Sequence, residues 1–189
     1  MAEPQTKRWT LADLDALPDD GGWTRYEIID GELYISEVPD NTHQCCSTQM
    51  VGDLVVWNWQ ARLGIVTLGP GLIFDDENNT IPDVIWTSLE RRAALEQADN
   101  KLHGGPELVV EVLSPGAENA RRDREVKRGL YARRGVDEYW IVDPVARTVG
   151  VYRRKDADLV LAATLYADDV LTSPLLPGFA VPISRFFTP

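Results

Sequence analysis

The run Leu108-Val109-Val110-Glu111-Val112-Leu113 constrains this chain more than any other segment. A stretch so uniformly apolar reads as a strand covered on both faces, as found inside an α/β sheet rather than in a half-solvated one. A carboxylate in its midst would lose solvation worth several kcal/mol unless a cation or hydrogen-bond donors met it. Two other features suggest what meets it. Asp83 opens a second short apolar strand, Pro82-Asp83-Val84-Ile85-Trp86, and Lys127 lies on the helix expected after Glu111. Two carboxylates and an ammonium at the ends of neighbouring strands make a site for a hard divalent cation and a phosphate.

A chain of 189 residues, 44% hydrophobic and 26% charged, can bury a real core, and one domain over 1–189 is expected, with a peripheral N-terminal segment over 1–20. Residues 1–8 lack the apolar centre of a signal peptide, and no stretch approaches the roughly 20 apolar residues of a membrane span. The expectation is therefore a cytoplasmic protein that does not engage membranes. Cys45 and Cys46 are adjacent and alone, which suits reduced, structural thiols better than a disulfide framework or a zinc site. A net charge of -11 argues against non-specific coating of nucleic acid. Residues 121–134 reverse that sign locally, with seven basic residues against two acidic, so the segment carries +5 and the remainder -16. A solvated helix face explains such a run by charge alone, although its position beside the buried carboxylate weakens that reading.

The pattern predicts a short helix over 10–17, capped by Thr10 with Asp13 in a capping box. Strands over 25–29 and 32–37 flank Asp30-Gly31, whose residues tolerate the positive φ of a tight hairpin turn. Cys46, Met50, Leu54, Trp57 and Ala61 recur at helical spacing over 42–62, with Gly64 as the stop. Strands are expected over 65–68, 71–74 and 83–86, a helix over 88–97 and the Glu111 strand over 108–113. A helix over 120–134 closes at Gly135 and leads to a strand over 138–142, a hairpin over 148–165 and an apolar segment, 175–179, packed on the sheet. This order predicts an α/β fold built on one mixed sheet with helices on both sides.

On a wheel of about 100° per residue, Asp123, Lys127, Leu130 and Tyr131 share an arc of about 140° that begins at Val126. Arg121, Arg124, Glu125 and Arg128 take the opposite, solvent side. Lys127 and Asp123 therefore point at the sheet, where aliphatics are usual, and Glu111 is the object for the lysine. A purely structural Lys127–Glu111 ion pair is the alternative, and a third polar group, Asp83, makes stability alone a costly explanation.

Pro82-Asp83 followed by Glu111, 28 residues on, resembles the signature of the PD-(D/E)XK nuclease superfamily. The surrounding text is more specific. Tyr26-Glu27-Ile28-Ile29-Asp30-Gly31, His43 opening a helix, the Leu108–Pro115 segment, Asp123 with Lys127 and Tyr131, Gly135–Pro144 and Leu176-Pro177-Gly178-Phe179 together are similar to the Uma-two family of restriction-endonuclease-like proteins. The resemblance runs from about Trp9 to Phe187. It implies a restriction-endonuclease-like mixed sheet flanked by helices and a magnesium-dependent deoxyribonuclease, Mn²⁺ substituting, acting on DNA. It also implies that Asp83, Glu111 and the Val112 backbone carbonyl hold the metal and that Glu27 falls near the site. Where the superfamily motif has its lysine, two residues after the glutamate, this chain has Leu113, and the resemblance allows Lys127 to reach the same spot from the following helix. Catalytic residues are then Asp83, Glu111 and Lys127, with Glu27, His43, Asp123 and Tyr131 around them. Other readings are a catalytically degenerate dimerisation or regulatory module and a small-molecule phosphodiesterase. A homodimer is expected from the edge strands of the 148–165 hairpin and from tryptophans that read as exposed.

Overall fold

The computed structural model describes residues 7–187. In chain order the elements are α1 Leu11–Leu14, β1 Thr24–Ile29, β2 Glu32–Glu37, α2 Asn41–Ala61, β3 Gly64–Leu68, β4 Leu72–Asp75, β5 Asn78–Thr80, β6 Val84–Ser88, α3 Leu89–Leu95, β7 Leu102–His103 and β8 Leu108–Val112. Then come α4 Ala117–Arg121, a π-helical turn Arg122–Lys127, α5 Arg128–Arg133, β9 Glu138–Asp143, β10 Thr148–Lys155, β11 Asp158–Leu165, β12 Val170–Thr172, β13 Ala180–Pro182 and a 3₁₀ turn Ile183–Phe187. The mixed α/β character expected from the sequence is present. No described helix is long and apolar enough to cross a membrane. Of the N-terminal segment expected to be peripheral, residues 1–6 lie outside the described residues, and α1 buries none of its side chains.

The main sheet has six strands in the order β11-β10-β9-β8-β6-β3. Its centre explains the apolar run in the sequence: β8 pairs parallel with β9 and antiparallel with β6, and all five of its residues are buried. One face packs Val84, Trp86, Leu108, Val110 and Trp140 against Cys46, Met50 and Leu54 of α2 and against Leu176, Phe179 and Phe186 from the C-terminal segment, which covers the sheet as expected. The other face packs Ile85, Val109, Tyr139 and Ile141 against Tyr131 and Ala132 of α5. Cys45 is exposed and Cys46 buried, both free thiols.

Two expectations need correction. The six-stranded sheet is the mixed, helix-flanked sheet that was expected, but it does not take every strand: β1, β2, β4, β5 and β7 form a separate five-stranded sheet in the order β2-β1-β5-β4-β7. Gly69, at φ 57°, breaks the chain after β3 and sends it across to that second sheet. Its strand β5 escapes a hydrophobic pattern because it is Asn-Asn-Thr, and side chains do part of its pairing: Asn79 Oδ1 accepts from the Ile28 N–H and Asn78 Oδ1 from the Asp30 N–H. Nor does Gly64 stop α2. Arg62, at φ 55° and ψ 33°, takes the left-handed cap, and Gly64 already belongs to β3. Glycine is needed there for another reason, since a Cβ would collide with the Thr87 carbonyl and the Trp86 ring.

Candidate active site

Asp83 lies just before β6, and the register Val84↔Val110, Ile85↔Val109 carries Asp83 opposite Glu111, so the two side chains leave the same face of the sheet. The Val112 N–H donates to Asp83 Oδ2 at 2.8 Å. On that face runs the helix 117–133, whose π turn over Arg122–Lys127 holds Asp123 and Lys127 buried. π turns of this kind recur at functional sites.

Lys127 is the hub. Its Nζ lies 2.9 Å from Glu27 Oε1, 3.0 Å from Glu111 Oε1 and 3.7 Å from Asp123 Oδ1. Glu111 Oε1 also accepts from the Tyr131 hydroxyl at 2.8 Å. His43 opens α2, its backbone N–H capped by Asp40, and its Nε2 lies 3.0 Å from Asp83 Oδ2. Ser47 Oγ, one turn on, lies 3.4 Å from His43 Nδ1. The structure thus brings together all seven side chains singled out in the sequence. Glu27 is buried against the lysine, and the His43 ring meets Asp83. The Val112 amide faces Asp83 through its N–H, a contact that sequence reasoning did not foresee.

Two cations were missed. Arg25 Nη1 stands 3.6 Å from Asp83 Oδ1, and Arg122 Nε lies 3.4 Å from Asp123 Oδ1. Arg25 was findable, since it is two residues before Glu27 on one strand and so shares its face. Nothing in the sequence marks the π turn that rotates Arg122 inward.

Four carboxylates therefore face three cations and a histidine, and each carboxylate is at most 7% exposed. Burial pushes the Glu111 carboxyl up to about 8, with Lys127 pulling against it and Asp83, Asp123 and Glu27 adding to the rise. Burial also raises Asp123, despite Lys127 and Arg122. Burial opposes the charge on Asp83 as well, but His43, the Val112 amide and Lys127 hold it below the usual carboxylate range. Lys127 is raised although burial disfavours its charge, because Glu111, Glu27 and Asp123 outweigh it. Upward shifts on both partners of the Lys127–Glu111 pair are compatible. Several acids compete for one ammonium, so the lysine keeps its charge and the most deeply desolvated acid holds a proton.

These groups line a cavity of about 30 Å³, room for an ion or a water or two but not for a phosphodiester at rest. The basic run 121–134 is no free strip beside it. Arg124 pairs with Asp143, Arg133 with Asp30 and Arg134 with Asp75, and Arg128 donates to the Leu159 carbonyl, while Arg121 remains exposed.

The family model described as "Putative restriction endonuclease" matches residues 11–184. Among solved structures, a "putative nuclease belonging to DUF820" from Anabaena variabilis superposes with a TM-score of 0.72 at 19% identity, covering 94% of this chain and 97% of that one. The likeness is one of fold. The type IIG restriction endonuclease BpuSI aligns at TM-score 0.43 and 14% identity over 80% of this chain and 16% of its own, a similarity too low to carry weight. No curated protein matches the sequence. With a shared fold, and a family match over nearly the whole length, this chain belongs to the Uma2 family of restriction-endonuclease-like proteins.

Proposed function

We propose that the protein is a metal-dependent endonuclease that hydrolyses phosphodiester bonds of DNA. Asp83, Glu111 and the Val112 carbonyl would hold one Mg²⁺, Mn²⁺ substituting, and Lys127 would attend the reacting phosphate. The observation that supports this best is the meeting of Lys127 Nζ with Glu111 Oε1 at 3.0 Å, on the sheet face that also carries Asp83. A lysine reaching down from the helix takes the role left open by Leu113.

The donor set fits a hard cation. Asp83 Oδ2 is taken by the Val112 N–H and His43 while Oδ1 faces Arg25 at 3.6 Å, and Glu111 Oε1 is taken by Lys127 and Tyr131, so Glu111 Oε2 would be open to a ligand and Asp83 Oδ1 would exchange Arg25 for the ion. Mg²⁺ keeps much of its water and needs few protein ligands. When bound, such an ion supplies a lowered water pKa and neutralises charge on the phosphate. Lys127, held as an ammonium, is unsuited to act as a base. It orients the nucleophile and stabilises negative charge on the phosphate oxygens. Glu27 and Asp123 keep that ammonium in place, Tyr131 fixes the Glu111 carboxylate, and His43 fixes Asp83.

Cleavage of circular single-stranded DNA and nicking of supercoiled plasmid, each in Mg²⁺, test this. Wild type should cut, and Asp83→Ala and Glu111→Ala should lose at least about a hundredfold in rate; equal activity in all three overturns the assignment.

One observation favours a second reading, a catalytically retired module: the cavity is too small for a phosphate as it stands. A retired site would bind neither Mg²⁺ nor Mn²⁺ at millimolar concentration. A homodimer belongs to the proposal under either reading. The edge strand β11 and the exposed Trp23 and Trp59 offer surfaces for it, and sedimentation of the pure chain should give twice the monomer mass.

A further inference from the structure

A second cleft, of about 630 Å³, adjoins the site. Arg25 and Ile81 line both this cleft and the small cavity around Asp83 and Glu111, so they form the wall between them. The cleft is the size of ordinary small-ligand pockets and mixes apolar walls with a few polar groups. Lys101 and Asp15 stand on its lining, and Asn79 presents an amide whose Oδ1 is committed to the Ile28 N–H. Tyr26, half-buried, is the aromatic side chain on that lining.

We infer that this cleft receives the nucleoside next to the scissile phosphate, and that the substrate is an unpaired strand rather than a duplex. The inference rests on the nuclease reading above. Along a phosphodiester chain the group flanking the reacting phosphate is a nucleoside, and the space flanking the site across Arg25 accommodates one. Arg25 faces Asp83 on one side and the cleft on the other, where its guanidinium can take the adjoining phosphate. Apolar walls and the Tyr26 ring offer a base stacking surfaces that do not depend on its identity. Duplex DNA would instead need a broad positive face. The net charge is -11, and most cations of the basic helix are tied to acids or carbonyls of the chain itself.

Gly71 lines the cleft, its φ lies outside the left-handed region, and a Cβ there meets nothing within 4 Å. Gly71→Phe should therefore fill the cleft without backbone strain or contact with the catalytic groups. Calorimetry with Ca²⁺ in place of Mg²⁺ would compare the 5′-phosphorylated dinucleotide pTpT, a 12-nucleotide single strand and the same sequence as duplex. The single strand should bind at least about tenfold more tightly than the duplex, Gly71→Phe should weaken pTpT roughly tenfold, and Tyr26→Ala about fivefold. Duplex bound as well as single strand, or pTpT unaffected by both substitutions in folded protein, overturns the inference. If Asp83→Ala abolishes cleavage while both cleft variants bind pTpT normally, the nuclease reading stands and the cleft assignment falls. If the cleft variants lose pTpT but no form of the protein cuts DNA, single-stranded or duplex, the cleft assignment stands and the nuclease reading falls.

Discussion

Lys127 is the residue on which the buried charges balance, and its removal should show it. Glu27, Glu111 and Asp123 would be left in the interior with Arg122 as the remaining close cation. Lys127→Met should lower unfolding free energy by about 3–5 kcal/mol in urea denaturation, the range for breaking a buried ion pair from one side. A loss below about 1 kcal/mol would mean the acids are hydrated rather than buried. Glu111 makes a separate prediction about pH. Its folded-state pKa, near 8, lies above the ordinary carboxylate value, so the folded chain binds the extra proton between those limits. Its contribution is fully present below the unfolded pKa and is lost as pH rises through about 8. Metal-free protein should thus lose stability from about pH 4.5 to about 8 relative to Glu111→Gln, whose curve lacks that slope.

Among the elements, the tight contact of β3 with β6 gives the plainest test. Gly64→Ala would drive a methyl into the Thr87 carbonyl and the Trp86 ring, and should destabilise by about 1–3 kcal/mol, with the midpoint shift read by near-ultraviolet dichroism of the tryptophans. Most elements were legible in the sequence because their local chemistry is strong. Asp30-Gly31 specified the first hairpin, and the residues Asp30 and Gly31 take φ 54° and 77°. Thr10 and Asp13 form the capping box that their spacing suggests. The buried run 108–113 announced the central strand, and Glu111 within it led to Asp83 and Lys127. What stayed hidden depends on partners distant in sequence. β5 pairs partly through asparagine side chains, and two sheets were expected as one because strand order alone does not say which strands pair. The regular wheel placed Lys127 and Asp123 correctly but not Arg122, since a π turn departs from the α-helical period.

For the molecule as a whole, charge is the dominant fact. An acidic chain with its basic helix internally paired should bind nucleic acid through few phosphates. The log–log dependence of single-strand affinity on salt should have a slope no steeper than about -3, where a protein tracking many phosphates would show about -6 or more. With Glu111 protonated the acids and cations of the site balance, so a divalent ion bound there would have to displace that proton. Calorimetric titration with Mn²⁺ at pH 6.5, in two buffers of different ionisation enthalpy, tests this most directly. One ion should bind per chain with release of about one proton, since Glu111 must ionise to bind it, and Asp83→Asn and Glu111→Gln should each abolish the binding. Absence of binding by the wild type, or binding that survives both substitutions, would contradict a metal centre built on Asp83 and Glu111.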